Sequence, residues 1–318
     1  MFSIGFSLSR SIVINRPIEQ VMQNVGDFNH WNAWSPWIIQ EPDCPVEISG
    51  EANTVGHSQK WQGDRIGTGK ITITDIQPNQ KIAYDLVFLA PWKSQSKTQF
   101  TFESVTSSES EEGSATKVSW AMQGSLPFFL FFMKKMMTAM IGSDYARGLS
   151  MLKEYIETDT VLSKVDINGI KPQKGFHYVG FRHKCHIDNI KETMGPVFQQ
   201  LIDERLPLPD LMLTISHKFD FVTGECELTG AFAYHEKPSF DVPTNMVFGE
   251  YPAHNALEVN HTGSYSHLSN GWATAKHYQQ FTKLKSAKKL ADYEVYRNAP
   301  KSVAEKDLLT TILLPLRD

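Results

Sequence analysis

Three cysteines in 318 residues, Cys44, Cys185 and Cys226, are too few and too scattered for a disulfide framework. No CxxC pair accompanies them. His183 and His186 stand three apart on a strand end with no carboxylate beside them, so no metal site is expected. A reducing, cytoplasmic compartment fits this cysteine usage best. Long hydrophobic runs are missing too. Leu126–Met133 is almost wholly apolar, but Lys134 and Lys135 interrupt it before Met136–Ile141. A membrane span wants about 20 apolar residues, so this stretch is expected to start a buried helix, with no membrane partner. Met1–Arg10 has no cationic start followed by an apolar core and does not resemble a secretory signal. Basic excess is also lacking: net charge is −4, and residues 1–157 carry 13 Lys/Arg against 16 Asp/Glu. Neither half offers the positive field that nucleic acid requires, which excludes DNA or RNA as a direct partner.

What is present is two patterns in series. In the first half, Ser9–Asn15 is β-branched and reads as a strand. Pro17 opens a helix with Ile18, Val21, Met22 and Val25 at helical spacing. Lys70–Ile76, Lys81–Leu89, Thr98–Glu103 and Lys117–Gln123 then alternate apolar and polar residues, as strands of one curved antiparallel sheet do. Ser104–Thr116, rich in Ser and Glu, reads as a solvated hairpin loop. Met137, Ile141, Tyr145, Leu149, Leu152 and Ile156 step by three or four along one long amphipathic helix. The expected class is α+β, with the curved sheet gripping the long helix around an internal cavity.

Periodicity fails over Glu157–Lys174, where Asp, Asn, Gly, Pro and Lys collect. The expected division is therefore a domain at 1–157, a linker at 158–173 and a domain at 174–318. The second domain repeats itself. Phe176–Lys184, Ile187–Glu204, Leu211–His217 and Glu225–Tyr234 read as strand, helix, strand, strand. Ala253–Asn260, Ser264–Phe281, Leu290–Tyr296 and Asp307–Leu316 return the same order. Two tandem β-α-β-β units predict pseudo-two-fold symmetry and a ligand groove between the halves.

Candidate sites follow from these placements. Trp31, Trp34 and Trp37 form either an aromatic lip on the first domain's cavity or plugs for its end, and the plug is the preferred reading. Trp61 and Trp120, on inward strand faces with His57 and Gln59 nearby, would line a cavity for an apolar ligand, with ordinary core packing as the alternative. On the strand Leu290–Tyr296, Glu294 and Tyr296 share one face. A carboxylate among aromatics is costly to bury unless it meets a cation or takes a proton. A surface Glu on an edge strand is the alternative. Tyr265 and Trp272, seven apart on the second helix, face the same groove. Aligning Asp210 with Asp292 sets Met212 at the position equivalent to Glu294.

The segments RSIVINRPIEQV at 10–21, DFNHWNAWSPW at 27–37 and GLSMLKEYIE at 148–157 resemble the SRPBCC (START-like) superfamily in its polyketide-cyclase-like branch. HTGSY at 261–265, Trp272, DYEVYRNAP at 292–300 and TTILLPL at 310–316 resemble the GyrI-like effector-binding domain that ends many AraC- and MerR-type regulators. The second resemblance implies a small, lipophilic and in some cases cationic ligand, with the family's acidic strand residue at Glu294. No cofactor is implied. Both domains together account for the chain, so no helix-turn-helix reader is expected. The resemblance also leaves room for a hydrolase using Glu294 with Tyr265 or Tyr296, and for a role as the inhibitor or partner of another protein.

Overall fold

The computed structural model describes residues 3–91, 93–108 and 114–317. Its chain divides into two compact units, Met1–Val161 and Leu162–Asp318.

In the first unit, alternating apolar residues produce a seven-stranded antiparallel sheet. Its strands are β1 (Ser3–Ile14), β2 (Val46–Ser49), β3 (Ser58–Gln62), β4 (Thr68–Gln77), β5 (Lys81–Ala90), β6 (Ser94–Thr106) and β7 (Ser114–Pro127). They stand in the order β1-β7-β6-β5-β4-β3-β2. Two short helices, α1 (Ile18–Val25) and α2 (Trp31–Trp34), follow β1, and the long α3 (Lys134–Thr158) closes the unit. Asp159, in the left-handed conformation at φ 61°, ends α3 by returning its N–H to the Tyr155 carbonyl. The helix-grip arrangement expected from the sequence is present. The hairpin loop expected at Ser104–Thr116 centres on 109–113, outside the described residues.

The interior of this grip is filled, which corrects the expectation of a cavity. Trp120 and Tyr145 stack with ring centroids 3.9 Å apart and planes 13° from parallel. Phe100 stacks on the other side of Trp120 at 4.7 Å. Val118, Met122 and Leu149 are buried in the same cluster. Trp31 and Trp34 are buried as plugs, and Trp37 lies edge-on to Trp120 and Tyr145. So many large rings between one sheet and one helix leave the inward faces packed against each other. A second correction concerns Leu126–Met133. Phe128–Met133 forms a 3-10 turn before α3, and Phe128, Phe129, Phe131 and Phe132 are exposed rather than buried.

The second unit is one eight-stranded antiparallel sheet carrying two helices. Its elements are β8 (Ser163–Gln173), β9 (Phe176–His186), α4 (Ile190–Asp203), β10 (Leu211–Phe219), β11 (Glu225–Tyr234), β12 (Val247–Tyr251), β13 (His254–Gly263), α5 (Leu268–Phe281), β14 (Asp292–Tyr296) and β15 (Leu309–Pro315). Strand order is β12-β9-β11-β10-β14-β15-β13-β8, which reads the same from either end under a two-fold exchange of the repeats. The tandem repeat is therefore real, with one strand added to each unit. Each added strand pairs not with its own repeat but with the first predicted strand of the other: β8 with β13, and β12 with β9. Residues 163–173, expected as linker, are thus an edge strand. Cys185 and Cys226 face each other across β9 and β11 with sulfurs 3.2 Å apart, and burial beside Cys185 pushes the Cys226 thiol up to about 12.

Two outcomes follow. We propose that the connection between the domains is only 159–162, since β8 is held by its ladder to β13. Limited proteolysis should nick there and leave two fragments of similar size; a first cut within 163–173 would show that β8 is not integral to the second sheet. Trp120→Ala should cost roughly 3–5 kcal/mol of unfolding free energy in denaturant titration, because it opens a cavity in a packed core.

Candidate functional site

Strand alternation places Asp292, Glu294 and Tyr296 on one face of β14 and Tyr293 and Val295 on the other. β14 is not an edge strand: it lies between β10 and β15 at the middle of the sheet. The face bearing Glu294 looks toward the helices. α5 comes close to the sheet because residue 271 is glycine; a Cβ there would stand 2.5 Å from Ile312 Cδ1. That approach brings the next residue, Trp272, over β14.

Glu294 is 7% exposed, and its carboxylate is bracketed by two neutral donors. Trp272 Nε1 donates to Oε2 at 2.5 Å, and the Tyr296 hydroxyl donates to Oε1 at 2.6 Å. Thr214 Oγ1, on β10 opposite Glu294, lies 2.8 Å from the Tyr296 hydroxyl. Since that hydroxyl spends its proton on Glu294, Thr214 donates to it. Burial pushes the Glu294 carboxyl above its ordinary 4.5, with the Tyr296 and Trp272 hydrogen bonds opposing the rise. Burial and the Glu294 charge together hold the Tyr265 and Tyr296 hydroxyls protonated. The nearby cation is engaged elsewhere, as Lys276 on α5 is paired with Asp292.

An aromatic wall surrounds this network. Tyr265 meets Tyr296 edge-on at 5.6 Å, and Phe198 of α4 meets it at 5.2 Å and 89°. Beside Tyr265, a surface cavity of about 230 Å³ is lined by Lys191, Ser264, Ser266, Pro300, Glu305 and Leu308. The structure therefore brings Glu294, Tyr296, Tyr265 and Trp272 together. One detail differs from the sequence-based expectation: Tyr265 sits on a 3-10 turn, Tyr265–His267, ahead of α5 rather than on the helix.

Met212 lies on the same sheet face, opposite Tyr296, and packs into the apolar cluster around α4. Trp61 and Trp120 do not line a site. Trp61 is buried edge-on to Phe88 at 5.7 Å, and the Trp120 indole N–H is satisfied by Thr98 at 2.9 Å. His57 is a structural tie: Nε2 accepts the Phe28 N–H at 3.1 Å, while Nδ1 faces the Ser49 and Gly50 carbonyls. Thr214 and Phe198 belong to the Glu294 constellation and escaped the sequence reading. No single-strand pattern reports them, because each arrives from another element. Among the described residues, no group of three or more His, Cys, Asp or Glu side chains is arranged to hold a metal ion, and no helix is long and apolar enough to cross a membrane.

Solved structures with partial likeness include EcmrR in its DNA complex, 16% identical over 60% of this chain and 70% of that one at a TM-score of 0.40. SAV2435 bound to tetraphenylphosphonium is 13% identical, covering 48% and 94% at 0.38. The Aha1 dimer of Colwellia psychrerythraea is 20% identical, covering 48% and 97% at 0.35. No curated protein matches the chain. Residues 5–157 match the family model described as polyketide cyclase / dehydrase and lipid transport, and residues 169–317 match the GyrI-like small molecule binding domain. The chain is a fusion of these two families, and its second half makes it a small-molecule-binding protein.

Proposed function

We propose that the second domain binds a lipophilic organic cation against Glu294. The observation carrying this reading is a carboxylate buried between neutral donors with aromatic rings around it. Ionised, such a group has lost its water and gained only two hydrogen bonds, so it retains unsatisfied negative charge. A cation at 4 Å with an effective dielectric near 20 gains about 4 kcal/mol before desolvation costs, and ring faces add roughly 0.5–2 kcal/mol. An anion of the same shape would meet repulsion. Tyr265, between the 230 Å³ surface cavity and Tyr296, is the side chain a ligand would displace on the way in. The free cysteines favour a reducing, cytoplasmic setting for this binder. A hydrolytic reading would use the same Glu294 as base with Tyr265 or Tyr296; product formation from an electrophilic ligand separates it from simple binding.

Tetraphenylphosphonium and tetraphenylborate, nearly equal in size and opposite in charge, test the charge preference directly. By calorimetry, the wild-type protein should bind the cation and reject the anion. Glu294→Gln should weaken cation binding tenfold or more, about 1.4 kcal/mol, and leave a neutral tetraphenyl analogue nearly unchanged. Gln is accommodated: its oxygen can take the Trp272 N–H while its amide donates to Tyr296, whose proton turns to Thr214. Equal loss for charged and neutral ligands would sink the proposal.

The raised carboxyl also sets a pH dependence. Its folded-state pKa lies above the ordinary 4.5, so protonation favours the folded form, and that contribution is lost as pH rises through the raised value. Ionisation therefore strains the ligand-free protein. Glu294→Gln should raise the thermal midpoint at neutral pH and change it little near pH 4. Cation affinity of the wild type should fall as acidification proceeds toward the ordinary carboxylate range, with proton uptake into Glu294.

A further inference from the structure

The first unit carries its most conspicuous apolar surface on the outside. Phe128, Phe129, Phe131 and Phe132 are each between 58% and 68% exposed, and Phe131 touches both Phe128 and Phe132 with ring centroids about 6 Å apart. Met136 and Met140 extend the patch along α3, so Phe128, Phe132, Met136 and Met140 recur every four residues as an exposed stripe. Four rings so exposed present on the order of 500 Å² of apolar area, as large as the biggest patch an ordinary monomer shows.

The charge around this stripe is mostly positive, with Asp144, one turn beyond Met140 on α3 and paired with Arg147, as the acid on that helix nearest it. Residues 86–102 and 114–143 contain Lys93, Lys97, Lys117, Lys134 and Lys135 and no Asp or Glu, in a chain whose net charge is −4. Lys117 lies at the far end of the sheet, paired with Glu103. The other four sit at the patch end, where β7 runs into α3 and β5 turns into β6. Asp85, opposite Lys97, is the nearest acid on these strands. Asp64 lies in the β3–β4 turn, which abuts the β5–β6 turn carrying Lys93 because Thr68 pairs with Ala90, and Glu41 reaches that turn from the segment ahead of β2. Glu41 is spent there on the backbone N–H groups of Asp64, Arg65 and Ile66. Lys134 also borders an open cleft of about 500 Å³ with Ser7, Gln123 and Gly124.

We infer that the Phe128–Met140 stripe and its lysine rim dock the protein on an anionic lipid surface, lying in the interface without spanning it. Bulky apolar side chains flanked by more lysines than acids match both layers of such a surface: rings reach the acyl boundary while ammonium groups meet phosphate. The polar cleft beside Lys134 is placed to receive a phosphodiester headgroup. An apolar protein partner would need the rings but not the excess of lysines, so charge complementarity decides for lipid. This inference is independent of the Glu294 site.

Co-sedimentation of the full chain with phosphatidylcholine vesicles, and with vesicles of equal parts phosphatidylcholine and phosphatidylglycerol, tests it. Binding should appear on the anionic vesicles and weaken severalfold as salt is raised. Lys134→Glu with Lys135→Glu should lower partitioning by roughly thirty-fold, at about fivefold for each lysine. Phe131→Ser with Phe132→Ser should abolish it. Phe219→Ser with Phe221→Ser, exposed aromatics on the β10–β11 turn, should leave it unchanged. Because the altered side chains are exposed, circular dichroism should confirm an intact fold, and the salt response of the wild type reads the same point without a variant. Absence of binding to anionic vesicles, binding indifferent to both the lysine and the phenylalanine pairs, or equal binding to neutral vesicles would overturn the inference. So would a wild-type dimer in analytical ultracentrifugation that Phe131→Ser with Phe132→Ser dissolves, since the stripe would then be a protein interface.

Discussion

A carboxylate removed from water and answered only by an indole and a phenol organises the second domain. For Glu294 to be buried, β14 must run through the middle of the sheet, and β10 must supply Thr214 to complete the chain of donors. α5 must also approach closely enough for Trp272 to reach, which glycine at 271 permits. Every donor in this shell is neutral, so the ionised site is satisfied in hydrogen bonds and unsatisfied in charge. A proton or a ligand cation resolves that imbalance, and the two compete for one group. Ligand binding, protonation and stability are thereby linked through a single side chain.

The first unit treats the same raw material in the opposite way. Its aromatics pack on one another and several satisfy their own polar atoms, while the buried Trp34 indole N–H is left without a partner. Trp120 donates to Thr98, the Tyr145 hydroxyl meets the same Thr98 oxygen at 2.9 Å, and Trp31 and Tyr84 both donate to the Val25 carbonyl. The unit's unresolved apolar demand is displaced to the surface, where Phe128–Met140 is left without cover. A helix-grip fold thus does not by itself imply a hollow interior; the bulk of the inward residues decides.

These contrasts explain what could be read from the sequence. Alternation gave the strands β4 to β7, and three-four spacing gave α3, because each element has one face in the core and one in water. The repeat was legible for the same reason. β8 and β12 were not, since edge strands are half exposed, and the polar composition of 163–173 imitates a linker until its ladder to β13 is known. Alternation also located Glu294 and Tyr296, yet it reports only which way a side chain points. It carries no volume, so Trp120 looked as well suited to lining a cavity as to filling one. Hydrophobicity likewise says that Phe128–Met133 seeks cover and is silent on whether the chain itself supplies it. Thr214 and Phe198 depend on cross-strand register and helix packing, which no local pattern encodes.

The pseudo-two-fold axis shows why the site has one charge. The five pairs of β10 with β14 centre on Thr214 and Glu294, so the symmetry exchanges Thr214 with Glu294 and Met212 with Asp292 rather than with Glu294. α4 and α5 have the same length, 14 residues, and correspond residue for residue, which makes Met194 the counterpart of Trp272. The indole and carboxylate of the second half therefore have Met194 and Thr214 as their counterparts in the first, neither of them charged. A carboxylate at 214 as well would stand directly opposite Glu294, about 5 Å away. At an effective dielectric near 20 the two would repel by about 3 kcal/mol, with a second desolvation cost added. The symmetric fold accordingly supports an asymmetric pocket: one half holds the charge, and the other supplies the neutral Thr214 hydroxyl, so that a single positive centre is matched without a rival.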